Sequence, residues 1–258
     1  MNEPSVERPI LLLRETAARI APVRGTPVDE VLAGATDSFF AAESPLGTVY
    51  VAVGQEGVRY LDPADSEEDF ARRYRRRFGR FVSPAQGDEV AGLAEKVASA
   101  LAGERVDVPL DLSRATPFQR RVLHVVKGIA RGEVRPYVWV AREAGTPGAS
   151  RAVGNVMANN PVPLLVPCHR VVRNDGSTGS YAFGSGEKVR LLRGEGVEPE
   201  EISGSPYVAT PTTGIVCHAT CRNARRIQPY NRRAFRSVRS AVEAGYRPCK
   251  VCRPVAAA

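Results

Sequence analysis

The residue with the clearest chemical potential is Cys168, which is followed directly by His169. It ends an apolar run, 160–167, in which three prolines make the backbone stiff and extended. A thiolate is a soft, strong nucleophile, but a free thiol is mostly protonated at neutral pH and needs a base close by. A lone cysteine also packs well as a small buried hydrophobe. By residue type alone, Cys168 is therefore either a reactive nucleophile or an inert core residue.

The other four cysteines form two close pairs near the end of the chain. Three residues separate the members of the first pair, two separate those of the second, and 27 residues lie between the pairs. The four are Cys217, Cys221, Cys249 and Cys252. Two such pairs are typical of a tetrahedral zinc site, and a structural zinc suits a segment too small for a large core. We predict one structural zinc ion here and one free thiol, Cys168, in a reducing compartment.

Two short helices are predicted ahead of Cys168. The first runs from 137 to 144 and stops at Gly145, and the second has Ser150 as its N-cap and ends near Ala158. Helices joined by a short turn rich in glycine and proline are typical of a helix-turn-helix. This motif would place a DNA-binding element immediately before the reactive thiol.

The second of these helices has one apolar stripe and one face of small side chains. Its buried stripe consists of Val153, Val156 and Met157. The opposite face carries Arg151, Gly154, Asn155 and Ala158. A face of small residues with a guanidinium at its start could press against a duplex or against another helix. Because the Cys168-His169 pair follows, we favour the duplex.

The part of the chain before these helices predicts a small α+β domain without catalytic residues. Strands are predicted at 39–42, 48–53 and 58–61. A helix that starts at Ser66 and stops at Gly79 follows, and a second helix ends at 103. We assign no function to the segment before the first strand.

The positive charge is concentrated around the four paired cysteines. The net charge is +8, yet residues 206–258 hold nine arginines and one lysine against a single acid, which gives +9 for this segment alone. Such a basic segment favours a polyanionic partner. No apolar run is long enough to span a membrane, and the early apolar stretch 9–13 is too short for a signal-peptide core. We expect a cytoplasmic, nucleoid-associated protein without a membrane partner.

The segment 167–171, Pro-Cys-His-Arg-Val, follows an Asn-Pro-Val-Pro segment at 160–163, and together they strongly resemble the active site of the O6-alkylguanine-DNA alkyltransferases. The resemblance covers about residues 116–197. It implies the alkyltransferase fold, of the mixed α/β (α+β) class, and irreversible transfer of a methyl or alkyl group from O6-alkylguanine to Cys168. O4-alkylthymine is a further substrate under the same resemblance. Each molecule would act once, because water does not cleave the thioether product.

The resemblance also implies roles for the residues around the thiol. His169 is the base, reached through a bridging water, and Glu195 is the carboxylate that orients it. Tyr137 assists rotation of the target nucleotide and donates a proton as guanine leaves. Asn160 ties the recognition helix to the active-site turn.

On the DNA side, the resemblance implies that Arg151 enters the minor groove and fills the gap left by an extruded nucleotide. The DNA-binding face of the recognition helix then consists of Ser150, Arg151, Gly154, Asn155 and Ala158. Tyr181 belongs to the loop that covers the alkylated base. Phe183 lies where relatives vary between small and large side chains, so its ring is expected to narrow the substrate pocket. The first helix of the pair carries Val138-Trp139-Val140 where relatives are usually more polar, with no consequence assignable from the sequence.

The segments around the paired cysteines, 212–217 and 244–252, closely resemble the metal-binding domain of the bacterial adaptive-response protein Ada. This resemblance implies a structural zinc, and it makes Cys217 the candidate second methyl acceptor, with a methylated DNA phosphate as donor. Arginines around the site would hold the flanking phosphates. The domain order differs from that of Ada, where the zinc module comes first and a transcription-factor helix-turn-helix pair follows.

These interpretations divide the chain into five segments. They are an N-terminal extension (1–35), an α+β domain (36–112), a catalytic and DNA-binding domain (113–197), a linker (198–211) and an Ada-like zinc-binding domain (212–258). We expect a monomeric DNA repair protein that acts on double-stranded DNA containing alkylated bases. The alternatives are a non-enzymatic alkylation-damage sensor or transcriptional regulator, and a zinc-containing DNA-binding protein in which Cys168 is inert.

Overall fold

The structure is a computed structural model that describes residues 36–255. The predicted extension, 1–35, lies outside the described residues. The chain divides into two compact units, with the boundary between Asp111 and Leu112. Among the residues that the structure describes, no helix is long and apolar enough to cross a membrane.

The first unit is built on a four-stranded sheet. Its strands are β1 (Thr36–Ser44), β2 (Gly47–Gly54), β3 (Gly57–Asp62) and β4 (Phe81–Pro84). The order is β3-β2-β1-β4, with β4 parallel to β1 and the other neighbours antiparallel. The three predicted strands are present; β2 and β3 are each two residues longer than predicted, and β1 is five residues longer. Strand β4 was missed because four residues are too few to show a clear alternation of apolar and polar positions.

Two helices cover this sheet, as predicted. Helix α1 (Glu67–Phe78) is capped by Ser66, whose side chain accepts a hydrogen bond from the Asp69 amide, and it ends at Gly79 in the left-handed conformation. Helix α2 (Ala91–Ala102) ends in the same way at a glycine. Aromatic side chains of α1 pack against those of the strands and form the core of this unit.

The second unit begins with three helices that include the predicted helix-turn-helix. They are α3 (Pro117–Lys127), α4 (Tyr137–Glu143) and α5 (Ser150–Ala158), and each packs against the other two. Helix α3 starts with a capping box between Thr116 and Gln119. The sequence analysis predicted Ser150 as the N-cap of α5, but Ser150 is the first residue of this helix. The backbone ladder starts one residue earlier, because the Val153 amide donates to the carbonyl of Ala149.

Short elements carry the chain from α5 through the reactive cysteine. A 3₁₀ turn at Cys168–Arg170 leads into β6 (Val171–Val172), which pairs in parallel with β5 (Arg135–Pro136). Helix α6 (Ser185–Gly194) then returns the chain past this turn. The two-residue ladder therefore fixes the reactive turn against the start of α4.

The segment with the four paired cysteines, 207–255, forms a second four-stranded sheet within the same unit and is called the zinc region below. Strands β7 (Tyr207–Thr210), β8 (Ile215–His218), β9 (Arg233–Phe235) and β10 (Arg247–Pro248) take the order β10-β8-β7-β9.

The predicted linker, 198–211, is not an unstructured connection, because it contains helix α7 (Pro199–Ile202) and the buried strand β7. Its proline and glycine residues gave the stronger sequence signal. The last helix, α8 (Val238–Glu243), packs on β8, β9 and β10.

Candidate functional site: a buried thiol beside a His-Glu pair, and a four-cysteine centre

A buried asparagine shapes the backbone that delivers the reactive thiol. The Asn160 side chain donates from Nδ2 to the carbonyl of Val166 (2.8 Å) and accepts at Oδ1 from the amide of Val162 (3.1 Å). The Val166 amide also bonds to the Val162 carbonyl (2.9 Å), which closes the turn. Asn160 lies two residues after the end of α5, so it joins this helix to the segment that ends at Cys168.

The imidazole of His169 is held by Glu195. His169 Nε2 and Glu195 Oε1 lie 3.0 Å apart, and the imidazole is only 2% exposed. Since the carboxylate accepts, Nε2 carries the proton, and Nδ1 is left as the basic nitrogen. Nδ1 is buried without a hydrogen-bond partner in the described part of the chain, so it is the ring atom available to a bridging water. Burial lowers the pKa of His169 against the opposing effect of Glu195, which favours a neutral base.

Glu195 is itself fixed by two groups that sequence reasoning missed. Arg170 donates from Nε to Oε2 (2.9 Å) and from Nη2 to Oε1 (2.7 Å), and the Gly132 amide donates to Oε2 (3.2 Å). Burial by itself would raise the pKa of Glu195, but the hydrogen bonds from His169 and Arg170 outweigh it and lower the pKa to about 2. The carboxylate therefore stays ionised at neutral pH. The position of Arg170, inside the motif that carries the thiol, was an available signal.

Cys168 lies in an environment with opposing effects on its charge. The thiol is 4% exposed, and burial raises its pKa, while the side chains of Asn160, Lys188 and Tyr181 act in the opposite direction. Lys188 is fully buried, and its ammonium donates to the Val171 carbonyl (2.6 Å). Burial lowers the pKa of Lys188 to about 8, with Cys168 opposing that shift. Sequence reasoning missed this lysine, although it shares a helical stripe with two leucines of α6.

A cavity of about 380 Å³ opens beside the thiol. Its lining includes Tyr137, Met157, Cys168, Arg173 and Tyr181. Burial and the neighbouring Cys168 raise the pKa of both tyrosines, so their hydroxyls keep their protons at neutral pH. The volume is large enough for a small ligand, since ligand pockets start at roughly 300 Å³.

Phe183 packs edge-on against Tyr181, with 5.4 Å between the ring centroids. This contact places it next to one lining residue of the cavity. Its predicted effect on the width of the pocket stays a prediction.

The predicted DNA-binding face of α5 lies at the rim of this cavity. Gly154 and Ala158 contribute to the cavity lining. Arg151 and Asn155 are exposed, Ser150 is partly exposed, and the predicted stripe on the opposite face is buried. One helix therefore presents a basic, small-residue face next to the opening that leads to Cys168.

The four paired cysteines come together in a single centre. Their sulfurs lie within 4.8 Å of one another, and all four residues are buried. The His218 amide points at Cys252 Sγ (3.4 Å), and Asn223 Nδ2 points at Cys249 Sγ (3.9 Å). Four converging sulfurs with donors aimed at them fit a tetrahedral zinc ion, whose charge keeps the thiols deprotonated.

This centre packs directly on the first helix of the helix-turn-helix. Trp139 Nε1 donates to the carbonyl of Cys252 (2.9 Å), and Arg142 Nη2 donates to the carbonyl of Arg253 (2.6 Å). Arg253 also forms an ion pair with Glu143. These contacts give Trp139 a structural role that the sequence did not reveal.

Two protein families match this chain, and the boundary between the two matches separates the site of Cys168 from the four-cysteine centre. The family described as "6-O-methylguanine DNA methyltransferase, DNA binding domain" matches residues 117–197. The family described as "Metal binding domain of Ada" matches residues 199–255. The first match contains the thiol and its His-Glu pair, and the second contains all four zinc cysteines.

Curated relatives carry one common name, methylated-DNA–protein-cysteine methyltransferase. That of Salmonella typhimurium is 33% identical over 159 residues, covering 59% of this chain and 92% of the relative. That of Methanosarcina acetivorans is 33% identical over 156 residues and is covered to 95%. That of Methanothermobacter thermautotrophicus is 47% identical over 91 residues, and the match spans about half of that protein (51%). A solved structure of Mycobacterium tuberculosis OGT in complex with DNA is 30% identical with a TM-score of 0.48, and the match covers 65% of this chain and 94% of that one.

Proposed function

Since the chain belongs to the methylated-DNA–protein-cysteine methyltransferase family, we propose that Cys168 is the cysteine that accepts the alkyl group. The protein repairs DNA by transferring a methyl group from methylated DNA to one of its own cysteines. The observation that carries the assignment to Cys168 is the His169–Glu195 pair at 3.0 Å, next to a buried thiol that lines a cavity. Each of the four other cysteines belongs to the zinc centre.

The proposed transfer begins when the Cys168 thiol gives its proton, through a water, to Nδ1 of His169. The thiolate attacks the alkyl carbon, a carbon–sulfur bond forms, and the carbon–oxygen bond breaks. Its electron pair stays on the guanine base, and the Tyr137 hydroxyl supplies the proton that the leaving base takes up. The phenolate that this leaves on Tyr137 regains a proton from water. Because the thioether is stable, the protein is used once per methyl group.

The charges around Cys168 support this sequence of steps. Glu195, ionised because its pKa is about 2, stabilises the imidazolium that forms on His169. The buried ammonium of Lys188 stabilises the thiolate before it attacks. Asn160 keeps the turn in place while α5 engages the duplex.

For recognition, we infer that the face of Ser150, Arg151, Gly154, Asn155 and Ala158 lies against double-stranded DNA. A base inside a duplex is not accessible to Cys168, so the target nucleotide has to be extruded into the cavity. Arg151 fills the gap from the minor groove, and Tyr181 covers the extruded base. The adjacency of this face and the cavity rim supports the assignment.

The four-cysteine centre holds one structural zinc ion. When bound, zinc keeps its ligand sulfurs deprotonated. The exposed arginines that follow the 3₁₀ turn, Arg232, Arg233, Arg236 and Arg239, are proposed to contact DNA phosphates. Cys217 remains the candidate acceptor for a methyl group from a methylated phosphate. Cys217 is only 3% exposed, so acceptance would require a phosphate to reach a buried sulfur.

DNA is the partner of this protein. We propose that the protein acts as a monomer on the nucleoid in the cytoplasm. In support of the monomer, each of its two sites draws its residues from one chain and needs no second copy. Sedimentation with and without a short duplex tests the monomer, which predicts one chain per lesion.

A stoichiometric transfer experiment tests the proposed function. A duplex carrying one labelled O6-methylguanine is titrated with the protein, and the label that becomes attached to protein is measured. The proposal predicts one methyl group per chain without turnover, and none for Cys168→Ala. Label on the Cys168→Ala variant, or no label on the native chain, would contradict it.

A further inference from the structure

The zinc region contacts the turn at residues 132–134, on the side opposite its hydrogen bond to Glu195. Arg225 follows the zinc ligand Cys221 by four residues and donates from Nη2 to the carbonyl of Gly132 (2.9 Å). Its Nε donates to the carbonyl of Thr220 (3.1 Å), which fixes the direction of the guanidinium. A residue of the zinc region is therefore anchored to the alkyltransferase part of the same compact unit.

The peptide of Gly132 connects this guanidinium to Glu195. While the Gly132 carbonyl accepts from Arg225, the Gly132 amide donates to Glu195 Oε2 (3.2 Å). Gly132 has a φ of +73°, and a Cβ atom there would lie 2.9 Å from the Glu195 carbonyl oxygen and 3.1 Å from Arg225 Nη1. Only glycine fits this position without displacement of one of the two neighbours.

Two further contacts fix the same turn. The Val134 amide donates to Thr220 Oγ1 (2.9 Å), and Glu133 Oε1 accepts from the Arg222 amide (2.8 Å). Three consecutive residues, 132–134, are thus each bonded to the segment 220–225 that surrounds Cys221. The turn whose Gly132 amide bonds to Glu195 is therefore held by the segment that contains the zinc ligand Cys221.

We propose that the zinc region is a positioning element of the methyl-transfer site, with Arg225 as a positioning residue that acts through Gly132 and Glu195 on His169. This inference rests on the proposed role of Glu195 as the group that orients the imidazole. Removal of an outer-shell hydrogen-bonding partner of a metal ligand typically changes activity by about 10-fold to 100-fold, and we expect the lower end of that range for Arg225. The zinc region then contributes to the chemistry as well as to DNA affinity.

The direct test compares Arg225→Met with Arg226→Met. Both variants lose one positive charge from the same 3₁₀ turn of the zinc region, but Arg225 alone of the two bonds to Gly132. We expect the single-turnover rate at saturating methylated duplex to fall about 10-fold in Arg225→Met. Arg226→Met should keep the native rate, the two variants should bind DNA equally, and Arg225→Lys should recover part of the loss. Equal rates for the two methionine variants would overturn the inference.

A DNA-free readout separates positioning from DNA binding. Alkylation of Cys168 by iodoacetamide, followed by peptide mass mapping across pH, reports how readily the thiolate forms. In Arg225→Met the alkylation profile should move to higher pH with one zinc ion per chain retained, whereas Arg226→Met should superimpose on the native profile. An unchanged Arg225→Met profile contradicts positioning.

Glu195→Gln serves as the reference variant. If it reacts slowly while Arg225→Met matches Arg226→Met, the role of Glu195 stands and the inference about the zinc region fails. If Glu195→Gln keeps the native rate and profile, the proposed role of Glu195 fails and the inference fails with it. Support requires both Glu195→Gln and Arg225→Met to be slow.

Discussion

Cys168 and Cys217 are almost equally buried, with 4% and 3% of their surfaces exposed, yet they lie in opposite kinds of surroundings. Burial alone disfavours a thiolate. Around Cys168, nitrogen and oxygen groups from several parts of the chain counteract burial: Asn160, Lys188 and Tyr181 act on its charge, and His169 stands beside it as a base. Around Cys217, three further sulfurs converge within 4.8 Å, and a metal ion supplies the compensation.

The comparison teaches that burial and residue type do not decide what a cysteine does. The partners decide it. The site of Cys168 is built from segments that are distant in sequence, and a cavity opens beside its sulfur. Its thiol is therefore available for one reaction. In the metal site all four sulfurs are ligands and no position is left open, so the main role of these thiols is to stabilise the fold.

The largest effect separates the two sites by chemistry. Cys168→Ala should reduce methyl uptake from O6-methylguanine DNA to background, because the other four cysteines belong to the zinc centre. Its zinc content should stay at one ion per chain, measured by a colorimetric chelator. Zinc loss in this variant would mean that the two sites are not chemically independent.

Metal removal is the next largest perturbation. Structural zinc contributes on the order of 10 kcal/mol to folding of small domains, so chelation or Cys249→Ser should unfold residues 199–255. Hydrogen exchange would show loss of protection in that segment. If the zinc region positions Glu195, the transfer rate of the chelated protein falls as well. Full protection of 199–255 after chelation would contradict a metal-dependent fold.

The carboxylate offers a smaller and more specific test. Glu195→Gln keeps the shape of the side chain but removes the charge that holds the imidazole, so the single-turnover rate should drop by about 10-fold to 100-fold. Glu187→Gln, in the exposed pair with Arg190, is the matched control and should leave the rate unchanged. A native rate in Glu195→Gln would remove this residue from the mechanism.

The same residue predicts a pH dependence of stability. The folded-state pKa of Glu195, about 2, lies below its ordinary value of 4.5. Its ionised form therefore stabilises the fold above pH 4.5, by about 3 kcal/mol, and this contribution disappears as the pH falls towards 2. Urea unfolding of native protein and Glu195→Gln from pH 7 to pH 3 should show a gap that narrows with acidity. A constant gap would indicate that the charge is not responsible.

The smallest effect concerns the contact between the two regions. Trp139→Phe retains most of the ring but removes the hydrogen bond to the Cys252 carbonyl, which should cost about 1 kcal/mol of unfolding free energy. Thermal unfolding at a fixed zinc concentration measures it. A loss of several kcal/mol would instead point to a packing defect of the ring.

Sequence reasoning was strongest where residue type and spacing are local. The cysteine pairs predicted the zinc centre, and caps and stop residues predicted α1 and the helix-turn-helix, with an error of one residue at Ser150. It failed where a partner is distant in sequence. Glu195 is 63 residues from Gly132, and Gly132 is 93 residues from Arg225, so no periodicity connects them.

Two kinds of element were also beyond local patterns. Strand β7 lies in a segment whose glycine and prolines predicted a linker. It was missed because it is defined by its pairing with β8 and β9, which no local pattern shows. Lys188 looks ordinary in its helix, and no consequence could be assigned to Trp139 from the sequence. Their roles follow from tertiary contacts: Lys188 bonds to the Val171 carbonyl and acts on the charge of Cys168, and Trp139 bonds to the Cys252 carbonyl.

The most direct measurement is peptide mass mapping of the whole chain after reaction with two duplexes, one methylated on guanine O6 and one on a backbone phosphate. The account predicts a mass gain of one methyl on the peptide that contains Cys168, and from the first duplex only. A methyl on any zinc cysteine from the first duplex, or an unmodified Cys168, would contradict the division of the two sites. A methyl on Cys217 from the second duplex would add a second acceptor without altering the role of Cys168.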